Sequence, residues 1–512
     1  MIINKITHAE AQRRGEKRET SRLSVFRCAV ASLRLYVMLS LVLFLVPAAL
    51  KAQDGFGFGD SDFGFGGGSS SSFSVNIGGE VSAGFTWFFD DCGSAERIKN
   101  ASLGDVFSGS LNFEAGGSAA QGVINLNLIP VFDGSSPLEI DEVYVRAFFG
   151  PVTVTGGIRK LSWGKADSFG PLDVVNPLDY RDLTKLSDPQ SIKIARPMIH
   201  ALWSMGSFSK LEAVFVPWFQ GHKFAATGIW APRQITTLPD TITGYVIASN
   251  PLLSAIGDTI QSELEDWIYS GSIDEFYPET TSFKYAQAGM RFTTSLGSSD
   301  LGFQYYFGRL PRPAVLLDVP ITFITPPPPA WQIHPEEINV DIAYNYYHQI
   351  GADFASVIAG FNLRAEAGAN ITEDLDGKDG AVENPSLVWS LGFDRNVVWG
   401  IKINLQGTGR VRLFHAQIDD DPLIDCEAGN DVSSTRITAI VSRKFFNDEL
   451  ELKASGLWGI EDRDFLVMPA IIWSRNGVSA ELAAGFFGGD EKGELGQYAD
   501  NGFMRVLLSY KF

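Results

Sequence analysis

Three basic side chains near position 400 have the spacing that an anion-binding surface requires. Lys402, Arg410 and Arg412 are separated by even numbers of residues, and the odd positions from 401 to 413 are apolar or glycine. Because successive side chains of a strand point to opposite faces, all three would share one face. Guanidinium groups bind carboxylate and phosphate through paired hydrogen bonds. These three residues are therefore the best candidates for contact with an anionic solute.

The same alternation places further charged residues on polar strand faces. Bases outnumber acids there, although the whole chain has a net charge of −19, so the negative surplus must lie largely in connecting segments. The other basic candidates for solute contact are Arg146, Arg159, Arg291 and Arg364. The alternative is that these charges neutralise one another and only maintain the shape of the protein, as we expect for Arg364 and Glu366. Residue types leave both interpretations open.

The elements that carry these residues are predicted to be strands, because apolar and polar residues alternate through most of the chain after residue 72. About 18 candidate strands are found, with 16 as the alternative count, each near the ~10 residues of a tilted membrane strand. Residues 355–369 are interpreted as one continuous strand. The candidate strands begin near Phe73, Val106, Gln121, Leu138, Val152, Met198, Lys210, Phe283, Asp300, Asn339, Ala355, Leu387, Gly400, Thr435, Glu449, Phe465, Val478 and Gly502.

The connections between the candidate strands alternate in length. The short ones follow even-numbered strands and include 116–118, 150–151, 206–207, 296–298, 447–448 and 475–477. The long ones follow odd-numbered strands and include 162–197, 220–281, 309–337, 372–385, 416–433 and 489–501. Short periplasmic turns and long outer loops are typical of transmembrane barrels. The predicted fold is an all-β, antiparallel, up-and-down transmembrane β-barrel over residues 73–512, with long extracellular loops and both termini in the periplasm.

The first 72 residues are predicted to serve export. An apolar run from Leu35 to Leu50 follows Arg22, Arg27 and Arg34, which is the pattern of a secretory signal peptide. We therefore expect residues 1–52 to comprise a polar extension plus a signal peptide, cleaved after Ala52. A membrane anchor is the alternative, but the run is shorter than the ~20 residues of a spanning helix. Residues 53–72 are rich in Gly, Phe and Ser and are predicted to form a flexible periplasmic segment.

The C-terminus and the net charge indicate partners. Tyr510 and Phe512 end an alternating strand, as in the C-terminal signal of barrels that the outer-membrane assembly machinery inserts. The expected partners are therefore outer-membrane lipid, this machinery and a small polar or anionic solute. So acidic a chain is a poor candidate for nucleic-acid binding.

Cysteine and histidine give little indication of catalysis. Cys92 and Cys426 both fall in outer loops, where they could form a disulfide or remain two separate thiols. No metal site and no cofactor are expected. The histidines beyond the predicted signal peptide lie in no recognisable nucleophile or metal motif, so we expect no enzyme activity; they are His200, His222, His334, His348 and His415.

The longest predicted loop, 220–281, contains a helical pattern. Leu253, Ile256, Ile260 and Leu264 recur at helical spacing, with acidic residues between them. Such a helix could fold inward as a gate, or it could cap the mouth of the barrel.

One segment resembles a known family. Residues 156–165 (GGIRKLSWGK) and 173–179 (DVVNPLD) are similar to a pattern in alginate-export-like porins and related uncharacterised outer-membrane barrels, although Lys160 stands where the family has Gln. The resemblance covers about 25 residues closely. It implies that Arg159 faces the lumen, that Trp163 lies at the membrane interface, and that Asn176 and Pro177 shape a loop that dips toward the pore. The constriction-loop candidates are Trp163, Asn176, Pro177 and Asp179.

Together these features predict a protein of the bacterial outer membrane. The expected function is that of a porin or gated channel that passes small polar or anionic solutes. The alternative is a surface adhesin or receptor that binds its partner through long acidic extracellular loops.

Overall fold

The computed structural model describes residues 73–89, 107–128, 138–269, 276–320, 324–325 and 332–512. The predicted signal peptide, the Gly/Phe/Ser segment and Cys92 lie outside the described residues. Everything below concerns the described part of the chain.

Eighteen of the described strands form one antiparallel sheet, and its first strand pairs with its last, so the sheet closes into a barrel. The predicted fold class and strand number are therefore confirmed. The barrel strands are β1 (Ser74–Phe89), β2 (Phe107–Gly116), β3 (Ala120–Leu128), β4 (Leu138–Phe149), β5 (Val152–Arg159), β6 (Arg196–Met205), β7 (Ser209–Val216), β8 (Gln287–Leu296), β9 (Ser299–Arg309), β14 (Tyr346–Ile358), β15 (Phe361–Thr372), β16 (Ser386–Asn396), β17 (Ile401–Arg412), β18 (Ser433–Phe445), β19 (Leu450–Gly459), β20 (Phe465–Arg475), β21 (Val478–Gly488) and β22 (Gly502–Lys511).

The outer face of the barrel is apolar. Side chains such as Leu391, Ile199 and Val145 are more than half exposed, whereas polar neighbours such as Gln406 and Ser390 are buried on the inner face. Period-two alternation in a closed sheet produces this separation directly. An apolar outer surface of this kind is stable in lipid, where every backbone group of a closed barrel is already paired.

One end of the barrel has only tight turns. Asn476 and Gly477 connect β20 to β21, and both have positive φ angles (50° and 81°), as two-residue hairpin turns require. Every described connection at the opposite end is longer than this turn, and the largest, 217–286, joins β7 to β8. This alternation agrees with the one predicted from sequence.

Two predicted strands are corrected. Residues 355–369 are not one strand, because Ala359 and Gly360 (φ 53° and 78°) form a turn between β14 and β15. The strand expected near Asn339 is not in the barrel. Asn339–Ala343 (β13) pairs with Ala314–Asp318 (β10) in a separate two-stranded sheet, and the barrel strand begins at Tyr346. Alternation alone does not reveal a turn that preserves an apolar pattern.

The long connections contain structure of their own. The predicted helical loop forms α1 (Arg233–Thr236), α2 (Leu238–Ser249) and α3 (Gly257–Tyr269). Buried residues of α2 and α3 pack with those of β13, so this loop has a hydrophobic core of its own. No helix in the described ranges is long and apolar enough to cross a membrane. The remaining short elements are β11 (Ile324–Thr325), β12 (Gln332–Ile333) and the 3-10 helices Leu183–Lys185, Pro251–Ile256, Phe283–Tyr285, Pro335–Glu337, Val398–Gly400, His415–Gln417 and Gly496–Tyr498.

Candidate solute pathway

Residues 160–195, which connect β5 to β6, fold into the barrel and are called the lumen loop here. The loop contacts β15 and β17, which lie six and eight strands further around the closed sheet of 18. A contact eight strands away is almost diametrically opposite in such a barrel. The lumen loop therefore crosses the lumen rather than following one wall.

Glu366 on β15 anchors the lumen loop. Its Oε1 accepts hydrogen bonds from the backbone N–H groups of Lys165 and Ala166, the latter at 2.7 Å, and its Oε2 accepts one from Leu172 at 3.3 Å. Gly164 has a φ of 84°, and a side chain there would overlap the Glu366 carboxylate. The loop backbone thus wraps closely around a carboxylate from the opposite wall, as in backbone anion nests.

A second anchor lies on β17. The Gln406 side-chain oxygen accepts hydrogen bonds from the backbone N–H groups of Asp167 (2.8 Å) and Ser168 (3.2 Å), and its amide nitrogen donates to the Ser168 carbonyl. The Asp167 carboxylate accepts a hydrogen bond from Asn404 at 2.7 Å and pairs with Arg364. Polar groups of the wall therefore satisfy both the backbone and the side chain of this part of the loop.

Apolar packing fixes the lumen loop against the wall on the other side. Trp163 is only 3% exposed, and its ring lies 6.1 Å from that of Tyr306, an inward-facing residue of β9. The resemblance implied that Trp163 lies at the membrane interface, and that prediction is wrong. The chain turns inward immediately after β5, which carries the indole into the lumen instead of the lipid boundary.

The other constriction-loop candidates hold the ends of the lumen loop together. Asn176 accepts a hydrogen bond from the Leu161 N–H (2.8 Å) and donates to the carbonyls of Arg159 (3.1 Å) and Ile194 (2.8 Å). The Pro177 carbonyl accepts from the Ile194 N–H at 2.8 Å. Asp179 forms an ion pair with Arg181 at 2.5 Å. Asn176 and Pro177 therefore close the base of the loop.

Four of the seven basic candidates are neutralised by carboxylates. Arg364 pairs with Asp394 (2.7 Å) as well as with Asp167, and Arg291 pairs with Asp353 at 2.8 Å in the interior. In these pairs the charges neutralise one another, which was the alternative to solute contact in the sequence analysis. Arg364, however, does not pair with Glu366. The other two pairs join β17 to neighbouring loops and are Arg410–Glu383 (2.6 Å) and Arg412–Glu427 (2.8 Å).

The remaining three basic candidates have no carboxylate within 4.0 Å among the described residues. Arg146 and Arg159 both lie against the ring of Tyr144, at 5.5 and 5.2 Å from its centroid. Arg146 also donates to Gln121, and Arg159 contacts His200 at 3.2 Å. Lys402 is exposed near the tight-turn end of the barrel. These three cations differ in this respect from the four arginines that are paired with carboxylates.

Sequence reasoning missed a cluster at the long-loop end. Glu494 accepts from Arg312 at 3.0 Å and from Arg436 at 2.9 Å. The neighbouring Arg312 holds the pKa of Glu494 well below its ordinary value, and Glu494 raises the pKa of Arg312 in turn. The only sign of this cluster in the sequence was the acidic surplus of the long loops. That surplus did not indicate that Glu494 would pair with Arg312 and Arg436.

Cysteine and histidine of the described ranges show no metal centre. No group of three or more His, Cys, Asp and Glu side chains there could hold a metal ion.

Burial raises the pKa of the Cys426 thiol to about 12, and its pairing with Cys92 remains a prediction. Burial lowers the pKa of His222 to about 3, and its Nδ1 accepts a hydrogen bond from the Leu178 N–H at 2.9 Å. His200 contacts Glu212 at 3.1 Å.

The closed sheet, its apolar outer surface and the asymmetry of its connections define an outer-membrane β-barrel. No protein-family model matches the chain, and a comparison with curated protein sequences finds no match. The likeness to alginate-export-like porins therefore rests on residues 156–179 alone.

Solved structures with a similar fold are outer-membrane proteins. The outer membrane channel DcaP of Acinetobacter baumannii is 9% identical, with a TM-score of 0.38, and the alignment covers 87% of this chain and 99% of that one. OccK9 (OpdG) of Pseudomonas aeruginosa is 9% identical, with a TM-score of 0.43 and coverages of 86% and 98%. A loop-deletion mutant of OmpT from Vibrio cholerae is 8% identical, with a TM-score of 0.38 and coverages of 86% and 99%. At such low similarity, the class rests on the geometry of the barrel itself.

Proposed function

We propose that this protein is an outer-membrane channel for small anionic solutes, in which the lumen loop forms the constriction. The observation that carries the proposal is the anchoring of that loop on the opposite wall by Glu366 and Gln406. A loop that crosses the lumen narrows the passage and fixes the side chains that a solute must pass. Channels achieve selectivity through such constrictions and through the charges that line them.

The preference for anions is supported by the three unpaired cations. Arg146 and Arg159 flank Tyr144 on the inner face of the barrel, and Lys402 is exposed near the tight-turn end. Guanidinium groups are weakly hydrated and bind carboxylate and phosphate in a forked geometry. A solute that carries either group can exchange its water for these donors during passage.

The channel proposal accounts for the histidines without catalysis. His200 is engaged by Arg159 and Glu212, and His222 accepts a backbone hydrogen bond. These contacts give both side chains a structural role.

We also propose that Tyr510 and Phe512, whose rings stack at 6.3 Å next to the tight-turn end, are the residues that the assembly machinery contacts.

Planar-bilayer recording on the purified, folded protein tests this function. Under a salt gradient, we expect discrete conductance steps and a reversal potential on the anion-selective side. The barrel must first be shown to be folded, for example by a heat-dependent shift in gel mobility. A folded barrel that never conducts would refute the channel proposal.

A surface receptor is the second candidate function, and the packed core of the long loop between β7 and β8 favours it. Helices α2 and α3 form a hydrophobic core with β13, including Ile242, Leu264 and Ile342, while Leu252 is exposed. A loop with its own core presents a rigid surface to a partner. Removal of residues 233–269 should abolish partner binding if the protein is a receptor, and it should leave conductance intact if the protein is a channel.

A further inference from the structure

Three segments that are distant in the chain meet at one carboxylate at the long-loop end of the barrel. Arg312 lies in the connection 310–345, Arg436 lies on β18, and Glu494 lies in the connection 489–501. Arg312 Nη2 is 3.0 Å from Oε1 of Glu494, and Arg436 Nη2 is 2.9 Å from Oε2. Two guanidinium groups therefore hold the two oxygens of a single carboxylate, and we call this arrangement the arginine clamp.

The arginine clamp is open to small molecules. The side chains of Arg312 and Glu494 are 55% and 44% exposed, although loops surround them. The Arg436 side chain is 27% exposed. Ion pairs with access to water are weaker than fully buried ones, because water competes for both partners. The loop has better anchors, because Leu495 and Tyr498 are buried in an apolar cluster and Asp464 accepts from the Leu495 N–H at 2.6 Å. The fold of this loop therefore does not depend on Glu494.

The donors of the clamp are suited to a carboxylate. Two guanidinium groups converge on one carboxylate, and further carboxylates lie around them, since Glu383 interacts electrostatically with Arg312 and Asp464 with Arg436. Arg410 is close enough to interact electrostatically with Arg312, and its own partner is Glu383. The phenol group of Tyr180 interacts electrostatically with Arg312, Arg436 and Glu494, and its ring stacks on Phe224 at 5.4 Å. A forked anion with a short carbon skeleton suits this combination.

We propose that Arg312 and Arg436 form an entry site for the carboxylate of a small organic acid, and that Glu494 occupies this site until a solute displaces it. The inference rests on the proposed channel function and specifies its substrate class. Binding exchanges one carboxylate for another on the same two guanidinium groups. The displaced Glu494 side chain turns to water, and the connection 489–501 loses its ion pairs to the two arginines.

Isothermal titration of the folded full-length protein with succinate tests the entry site, because it needs no open pore. Glu494→Gln removes the internal competitor and should strengthen succinate binding by about tenfold. Glu491→Gln is the matched control, because this residue of the same loop is 86% exposed and lies 4.0 Å from Arg233. The control should leave affinity unchanged. The neutral diamide of succinate should not bind to any variant.

The arginines are tested in the same assay. Arg312→Gln combined with Arg436→Gln should abolish succinate binding, and the single change Arg312→Gln should weaken it if the double variant does not fold. Equal affinity in the parent, E494Q and E491Q proteins would overturn the entry site, even if the channel conducts. A tenfold gain in E494Q on a barrel that never conducts would support the entry site while refuting the channel.

Discussion

The carboxylate of Glu366 and the backbone N–H of Ala166 form a hydrogen bond of 2.7 Å across 200 residues of sequence. Glu366 faces the lumen from β15, whereas Ala166 belongs to the loop that leaves the barrel after β5. This contact, together with those of Lys165 and Leu172, holds the connection between β5 and β6 inside the barrel. A carboxylate buried by a loop backbone is satisfied only while the loop remains in place.

Neutralisation of Glu366 should loosen the lumen loop. Glu366→Gln weakens the hydrogen bonds from Lys165, Ala166 and Leu172, each worth roughly 1–3 kcal/mol when an ionised acceptor is involved. We expect larger current fluctuations in single-channel records because the loop can leave the wall. Glu114→Gln is the control, since Glu114 accepts from Gln121 on the neighbouring strand. Equally quiet traces from both variants would argue against the anchoring role.

Removal of the buried indole should destabilise the protein. Trp163→Ala leaves a cavity against Tyr306 and Gly289, which for a buried tryptophan costs about 3–5 kcal/mol. The free energy of unfolding in urea, measured on the barrel in lipid vesicles, checks this value. Trp399→Ala is the control. Trp399 is exposed in a tight turn, so this variant should lose much less free energy of unfolding. Similar small losses would contradict the inward placement of Trp163.

The outer loops should loosen as the pH falls below about 6.5. Burial lowers the pKa of His222 to about 3, so the folded loop excludes a proton that the released loop binds. The stability from His222 is complete above pH 6.5 and is lost as the pH falls toward 3. Limited proteolysis of residues 217–231 at pH 7 and pH 4.5 should therefore show faster cleavage at the lower pH. His222→Asn, which keeps an acceptor for Leu178, should reduce this difference; an unchanged difference would exclude His222 as its source.

Lys402 and Arg412 lie on the same strand face, but we expect the first to affect ion selectivity and the second to affect stability. Lys402→Glu should move the reversal potential toward cations, because Lys402 has no carboxylate within 4.0 Å among the described residues. Arg412→Gln should leave selectivity nearly unchanged. It should instead lower the free energy of unfolding by about 3 kcal/mol, since the buried Glu427 loses its 2.8 Å ion pair and keeps Arg410 only at 4.0 Å. A larger selectivity change in the Arg412 variant would contradict this assignment.

The barrel could be predicted from sequence because its signals are local. Alternation such as that of β17 needs no distant partner, and turn residues such as Asn476 and Gly477 mark where pairing must reverse. The prediction failed where a local signal was ambiguous. The apolar pattern continues across the turn at Ala359 and Gly360, so two strands were interpreted as one.

The path of the lumen loop could be predicted only in part, because its contacts are long-range. Residues 156–179 were identified as a functional segment through their resemblance to porins. The sequence did not show that Glu366 and Gln406 would bind this segment, since 200 residues separate Glu366 from Ala166 and 239 separate Gln406 from Asp167. The partners Glu383 and Glu427 of the inner-face arginines could not be predicted for another reason: both lie in irregular connections, whose folding the alternation of the strands does not determine.

The central claim is that the lumen loop limits passage through the barrel, and single-channel conductance tests it most directly. The variant replaces residues 165–172 by two glycines and removes the contacts with Glu366 and Gln406 while β5 and β6 remain. We predict a larger conductance than that of the parent protein in the same salt, with the barrel shown to be folded in both cases. A conductance equal to or smaller than that of the parent would contradict the claim.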